Sequence, residues 1–301
     1  MANPKLALIP SAYKAGTLYS PLPTNGDGDF TFTRNSVATR VNKDGLIEDV
    51  AINIPRLDYS DGGCPSLLLE PQRTNLITYS EDFADASWAA TNSNVEASNE
   101  VSPIGNLDAT KIIPTTVSGV HQIRVNLSTV DGTFTQSIFA KQGGYKNILL
   151  WDDTTSSGIG VNLDDLSIFR NQNTLGYNIE SLIGGWVRIS VSYSLASQTL
   201  LSGIYIYDNS PTPQITFSGD GTSGIHILGT QVEEGSYATS YIPTNGSITT
   251  RVVELCSLDT SFLGLSDITE TFADNTTNVI TSIPTTYNVT QGKISKIIGE
   301  W

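Results

Sequence analysis

Trp186-Val187-Arg188-Ile189-Ser190-Val191-Ser192-Tyr193 alternates apolar and polar side chains one by one. An extended chain has a side-chain period of two, so Val187, Ile189, Val191 and Tyr193 turn to one face. Trp186, Arg188, Ser190 and Ser192 turn to the other. A helix would scatter both sets around its axis, so the stretch is a half-buried strand. Working outward, His121 to Leu127 repeats the pattern, with Ile123, Val125 and Leu127 on one face. Asp131-Gly132 then predicts a hairpin turn into a strand over Phe134 to Lys141. Further strands are expected over 147–151, 159–163, 166–170, 177–183, 201–207 and 225–233.

Ser, Thr, Asn, Asp and Gly fill the gaps between these runs, and there is no βαβ rhythm. The fold class expected is therefore all-β, a jelly-roll or β-sandwich, over residues 74–250. Residues 1–73 form an N-terminal attachment or packing segment, with a meander over 30–33, 38–42 and 46–50 that turns at Lys43-Asp44-Gly45. Residues 251–301 form a C-terminal oligomerisation or attachment segment, with Val279 to Trp301 as a contact surface. Both segments look too small for cores of their own and are expected to pack on the sandwich or on a neighbouring subunit.

Thirty acidic residues face sixteen basic ones, for a net charge of −14. With no basic stripe, nothing here would hold a phosphate backbone, so nucleic acid is excluded as a partner. No run approaches the roughly 18 apolar residues of a membrane span. The patch Leu6-Ala7-Leu8-Ile9, ended by Pro10, is too short for the apolar region of a secretory signal, so folding in a cytoplasm is expected. Cys64 and Cys256 lie far apart in no metal or redox spacing and read as two buried thiols.

Little in the chain suggests catalysis. His121 and His226 are the only histidines, both in expected strands, and neither a G-x-S-x-G elbow nor an H-E-x-x-H zinc motif occurs. The adjacent carboxylates Asp152-Asp153, Asp164-Asp165 and Glu233-Glu234 would alternate faces in a strand and more often mark turns, whereas glycoside hydrolysis needs two carboxyls facing across a cleft. Asn25-Gly26-Asp27-Gly28-Asp29 starts like a calcium loop, but Phe30 and Ser36 stand where Gly and the bidentate Glu belong. No cofactor is expected; a structural Ca2+ in the sandwich stays open with no ligand set assigned.

Sugar rings stack their C–H faces on Trp or Tyr while their hydroxyls bond to Asn, Asp and Gln. Trp88, Trp151, Trp186, Tyr145, Tyr177, Tyr205 and Tyr207 form the aromatic pool. Trp151 is the best candidate because it ends a strand and leads into a polar run opened by Asp152 and Asp153. Tyr145, beside Gly143-Gly144, is the second. The candidate glycan-binding residues are thus Trp151, Asp152, Asp153 and Tyr145.

Two stretches carry a family resemblance. The first runs Asp29-Phe30-Thr31-Phe32-Thr33-Arg34-Asn35-Ser36-Val37-Ala38-Thr39-Arg40-Val41-Asn42-Lys43-Asp44-Gly45-Leu46-Ile47-Glu48, then through Pro55-Arg56-Leu57-Asp58-Tyr59 to Leu67-Leu68-Leu69-Glu70-Pro71-Gln72-Arg73-Thr74-Asn75-Leu76. It resembles a block found in tailed-bacteriophage structural proteins. The second, Gly224-Ile225-His226-Ile227-Leu228-Gly229-Thr230-Gln231-Val232-Glu233-Glu234-Gly235-Ser236-Tyr237-Ala238-Thr239-Ser240-Tyr241-Ile242-Pro243-Thr244, is similar to the closing strand and turn of the carbohydrate-binding-like jelly roll that follows that block. The resemblance implies a virion component, a tail fibre, head fibre or decoration protein. It also implies a homotrimer with capsid or tail proteins and bacterial-surface glycans as partners; the hydropathy alone already makes a membrane partner unexpected. Arg34, Arg40, Arg56 and Arg73 are expected to pair with Asp29, Glu48, Asp58 and Glu70 and to fix the junction with the sandwich.

The expected function is therefore a bacteriophage virion structural protein, assembled in the host cytoplasm and presenting a jelly roll that binds host-surface glycans weakly. The alternative is a purely architectural decoration protein that touches no sugar. A polysaccharide depolymerase ranks behind both.

Overall fold

The computed structural model describes residues 4–14 and 17–300. They contain many short strands, two single-turn 3-10 helices and no α-helix. The chain divides into two compact units, Thr74–Thr249 and a discontinuous one made of Met1–Arg73 with Thr250–Trp301.

The sandwich strands are β1 (Trp88–Thr91), β2 (Ser93–Ala97), β3 (Thr110–Pro114), β4 (Gly119–Gly143), β5 (Asn147–Asp152), β6 (Ser157–Asn162), β7 (Ile168–Gln172), β8 (Gly176–Ser181), β9 (Val187–Tyr207) and β10 (Gly224–Glu234). Every pairing among them is antiparallel. Two strands, β4 and β9, run the length of the sandwich side by side. Their register shifts between Asn126 and Thr129 and again between Val130 and Gly132. On one side of these shifts, residues 121–126 and 202–207 join β1, β5, β6 and β7 in a front layer. On the other, residues 133–143 and 187–194 join β2, β3, β8 and β10 in a back layer.

The hairpin expected at Asp131-Gly132 is absent. The two long strands hold each other through the irregularity, so these residues fall in the bulged stretch and the chain does not reverse there. Likewise, the strands expected over 186–193 and 201–207 are the two ends of β9.

One apolar core lies between the layers. Ile123, Val125, Ile148, Leu150, Ile204 and Ile206 from the front meet Phe134, Ile138, Val187, Ile189, Val191, Tyr193, Ile225 and Ile227 from the back. The alternation read from 186–193 holds, since Val187, Ile189, Val191 and Tyr193 all belong to this cluster. Each such side chain contributes about 1.5–3 kcal/mol when removed from water. Period-two strands with one apolar face each can satisfy that only by facing one another, and the domain is an all-β sandwich.

The two terminal segments, expected to lean on the sandwich or a neighbouring subunit, instead share a core with each other. An antiparallel sheet runs Thr277–Ile280, Asp267–Phe272, Gly292–Glu300, Ser66–Leu69, Arg56–Asp58, with Leu6–Leu8 added on Gly292–Glu300. Leu6, Leu8, Leu67 and Leu69 from the first segment pack with Ile268, Ile294 and Ile297 from the second. Glu254 binds across the same divide: it accepts from Arg34 Nη1 and Arg56 Nε, each at 2.8 Å, and from the Glu70 backbone N–H at 2.9 Å. Glu70 in turn pairs with Arg56 at 2.8 Å and Arg251 at 3.0 Å. Of the expected arginine pairs, Arg40–Glu48 forms at 2.7 Å. Arg34 takes Glu254 in place of Asp29, and Arg56 takes Glu70 and Glu254 in place of Asp58. Asp29 and Asp58 are occupied by the backbone N–H groups of Ser20 and Val41. Both cysteines are free; Cys256 is buried, but Cys64 is exposed, contrary to expectation. Trp301, the end of the expected contact surface, lies outside the described residues.

Candidate functional site

On the outer face of the front layer, alternation turns Gln122 and Arg124 of β4, Gly203, Tyr205 and Tyr207 of β9 and Leu149 and Trp151 of β5 away from the core. Leu149, Trp151, Tyr205 and Tyr207 form a second apolar cluster there, with Val120, Phe169 and Ile215 against it. Two of these rings, Tyr205 and Phe169, cover in-strand glycines, which leave room for them. A Cβ at Gly203 would come within 2.6 Å of the Tyr205 ring, and one at Gly160 within 2.6 Å of the Phe169 ring. Phe169 and Tyr207 then meet with ring centres 5.0 Å apart. The result is an aromatic strip across β9, β5 and β6.

Charged groups edge and cover this strip. The Arg170 guanidinium lies 4.2 Å from the centre of the Trp151 ring and donates to Tyr207 Oη at 3.1 Å and to Gln172 Oε1 at 3.1 Å. Tyr205 Oη donates to Asp153 Oδ1. Burial, together with that carboxylate, holds the Tyr205 phenol well above its ordinary pKa, so it remains a donor. Arg124 Nη1 stands 3.5 Å from Asp153 Oδ2. One buried acceptor, Gln122 Oε1, has no hydrogen-bond donor, and Asp153 Oδ2 has only the Arg124 ion pair. Orphaned acceptors cost about 1–3 kcal/mol each, which favours anything that brings hydroxyl or N–H groups to this face.

The four residues singled out from the sequence fall in three places. Trp151 and Asp153 are both on the strip. Trp151 is only 7% exposed, because Arg170 covers it. Asp152 is fully buried, accepting from Leu201 N at 3.0 Å and Thr155 N at 2.8 Å, and so pins the turn after β5. Tyr145 belongs to the sandwich core, its ring 5.3 Å from that of Phe217, and burial raises its pKa. Trp88 and Trp186 are also buried, with their indole N–H groups on the carbonyls of Tyr79 and Val101. Sequence reading missed Arg124, Arg170 and Phe169. The available signal was a pair of in-strand glycines, Gly160 and Gly203, beside aromatic-rich strands.

Both histidines bond locally. His121 places its two ring nitrogens 2.6 and 2.9 Å from the carbonyls of Asn92 and Phe217, and His226 Nδ1 is 2.8 Å from Ser98 Oγ. Among the described residues, no group of three or more His, Cys, Asp or Glu side chains is placed to hold a metal ion.

No family model and no curated protein matches the chain. Among solved structures, the xylan-binding CBM22-1 domain of Paenibacillus barcinonensis Xyn10C aligns at 10% identity and TM-score 0.28, over 55% of this chain and 94% of that domain. The mannan-recognising module TmCBM27 aligns at 13% identity and TM-score 0.29, over 56% and 98%. A putative sugar-binding protein from Bacteroides thetaiotaomicron aligns at 8% identity and TM-score 0.27, over 54% and 94%. Scores at this level decide nothing about the chain. The all-β sandwich stands on its own strand pairing and shared core.

Proposed function

We propose that this protein is a surface component of a phage particle whose sandwich holds host glycan weakly along the Trp151–Tyr205 strip, binding the sugar without cleaving it. The observation that carries the binding reading is the strip itself: aromatic rings clustered on an outer sheet face, nearly covered, with Arg124, Asp153, Arg170 and Gln122 beside them. Once uncovered, aromatic rings match the C–H face of a pyranose, and the polar groups beside them match its hydroxyls. The phage reading is supported by the resemblance of residues 29–76 and 224–244 to structural-protein motifs.

Arg170 sets the strength of binding. A sugar can stack on Trp151 only after the guanidinium swings aside, giving up a cation–π contact of about 0.5–2 kcal/mol. Single-site affinity is then weak, and several copies on a trimer or particle would supply the avidity. Trp151→Ala and wild-type protein, each in its native oligomeric state, should be compared on arrays of host capsule and lipopolysaccharide. Binding by the wild type and its loss in the variant are expected; no binding by either would remove the glycan role and leave the architectural reading. Mass photometry returning a trimer supports the avidity argument, and a monomer counts against it.

A further inference from the structure

We propose that the back layer carries a second, independent site: a groove that takes a neutral saccharide through its hydroxyl groups. The groove has a volume of about 330 Å³ and belongs wholly to the sandwich. Its floor comes from strands already fixed by the core. Because Val187, Ile189 and Val191 point inward, Arg188, Ser190 and Ser192 must point outward, and Thr135 of β4 lies beside Ser192. Edge strand β8 forms one wall, with Asn178 opposite Ser190 and Glu180 opposite Arg188. The other wall is Ser236-Tyr237-Ala238, at the start of a strap that returns over the back layer. That strap is firmly seated, since Glu233 accepts from Thr239 N at 2.8 Å and Thr239 Oγ1 at 2.6 Å, and Gln231 Oε1 accepts from Ile242 N at 2.7 Å. Both acceptors are fully buried, so this wall is preformed.

The arrangement of charge selects the ligand. Arg188 faces Glu180 in register, yet its guanidinium is drawn away. Its Nη2 donates to Thr239 O at 2.6 Å, and the group lies over the Phe139 ring at 5.2 Å. Among the described residues Glu180 has no ion pair, so its carboxylate is left for whatever enters the groove. A carboxylate with two open oxygens accepts well from a pair of neighbouring hydroxyls, and charged acceptors strengthen such bonds. Ser190 and Asn178 add neutral partners, and Tyr237, 53% exposed, offers an apolar ring at the rim. An acidic sugar is disfavoured twice, by Glu180 itself and by a unit with sixteen acidic against six basic side chains over 74–249. Glu180 is also the only carboxylate among the described lining residues, and one carboxylate cannot carry out two-carboxyl glycoside hydrolysis. The groove therefore binds without cleaving, and at the small end of ligand-site volumes it accommodates about one or two sugar rings.

The test is a backbone amide NMR titration of the full chain with neutral cello-, manno-, malto- and xylohexaose, and with an oligogalacturonate as the acidic probe. At least one neutral probe is expected to shift amides of 176–180, 188–192 and 236–238. Glu180→Gln should weaken that binding by about tenfold, the size of a lost charge-assisted bond, with an unchanged thermal melt. Trp151→Ala should leave the groove shifts intact, which separates this site from the strip. The proposal is overturned if no neutral probe moves the groove amides, if oligogalacturonate binds there more tightly, or if Glu180→Gln binds as well as the wild type.

Discussion

The two outer faces of the sandwich are made by the same two long strands and have almost opposite chemistry. Where β4 and β9 run through 121–126 and 202–207, their outward side chains support an aromatic strip pressed onto glycines and closed by Arg170. Where they run through 133–143 and 187–194, the outward residues are Thr135, Arg188, Ser190 and Ser192, under a polar groove. The inward residues are mostly aliphatic or aromatic in both halves, with Gln136 and Ser202 as buried polar exceptions. The core thus dictates only which residues face outward, and the two surfaces are free to differ. One face has apolar area that must be uncovered before use; the other has a floor of nearly buried hydroxyls, with Asn178, Glu180 and Tyr237 standing at its walls.

The sharpest way to break this contrast is Trp151→Ala. Removing a nearly buried indole should cost about 3 kcal/mol by large-to-small truncation, measured by denaturant unfolding, and should abolish binding on the front face while sparing the groove. Gly203→Ala comes next. Its Cβ would sit 2.6 Å from the Tyr205 ring, so the ring must lift; a loss of about 1–3 kcal/mol is expected, with release of the Tyr205–Asp153 bond visible as a lowered phenol pKa in a spectroscopic pH titration. Burial and the carboxylate raise that pKa, and lifting the ring weakens both. Arg170→Ala has a smaller effect of opposite sense. Uncovering Trp151 should tighten front-face binding about two- to fivefold, the equivalent of an exposed cation–π contact, and should increase acrylamide quenching of its fluorescence.

The smallest expected effect concerns acid. His226, at the end of the back layer, has its pKa lowered by burial and by Lys111. The folded state therefore binds its proton less readily than the unfolded chain does. Its contribution to stability is present above the ordinary imidazole pKa and fades as pH falls below it. His226→Gln should flatten that slight acid-side decline in thermal melts, while the front-face variants keep it.

How much of this was legible follows from the reach of each signal. Alternation over Trp186 to Tyr193 is local, and it correctly sorted Arg188, Ser190 and Ser192 from the core residues beside them. The place of Trp151 near a strand end, with Asp153 just beyond it, was also legible. Arg124 and Arg170 were not, because they reach the strip only through the register of β4 with β9 and of β6 with β7, which no short window contains. Tyr145 misled because Gly143-Gly144 looks like an open loop. Its backbone N–H bonds to Gly224 O at 3.1 Å, and the ring folds inward onto Phe217. Asp131-Gly132 misled for a similar reason: a good turn signal was overridden by two long strands that pair across it. Glu254, which joins segments some two hundred residues apart in sequence, was beyond any local reading.

The most direct test of the central claim is to follow the Trp151 indole N–H by NMR during titration with host capsule oligosaccharide, assigning it by its absence in Trp151→Phe. The account predicts that this resonance shifts together with the backbone amides of Arg170 and Tyr205 as the guanidinium leaves the ring. A glycan that binds the protein while the Trp151, Arg170 and Tyr205 signals stay unmoved would contradict it.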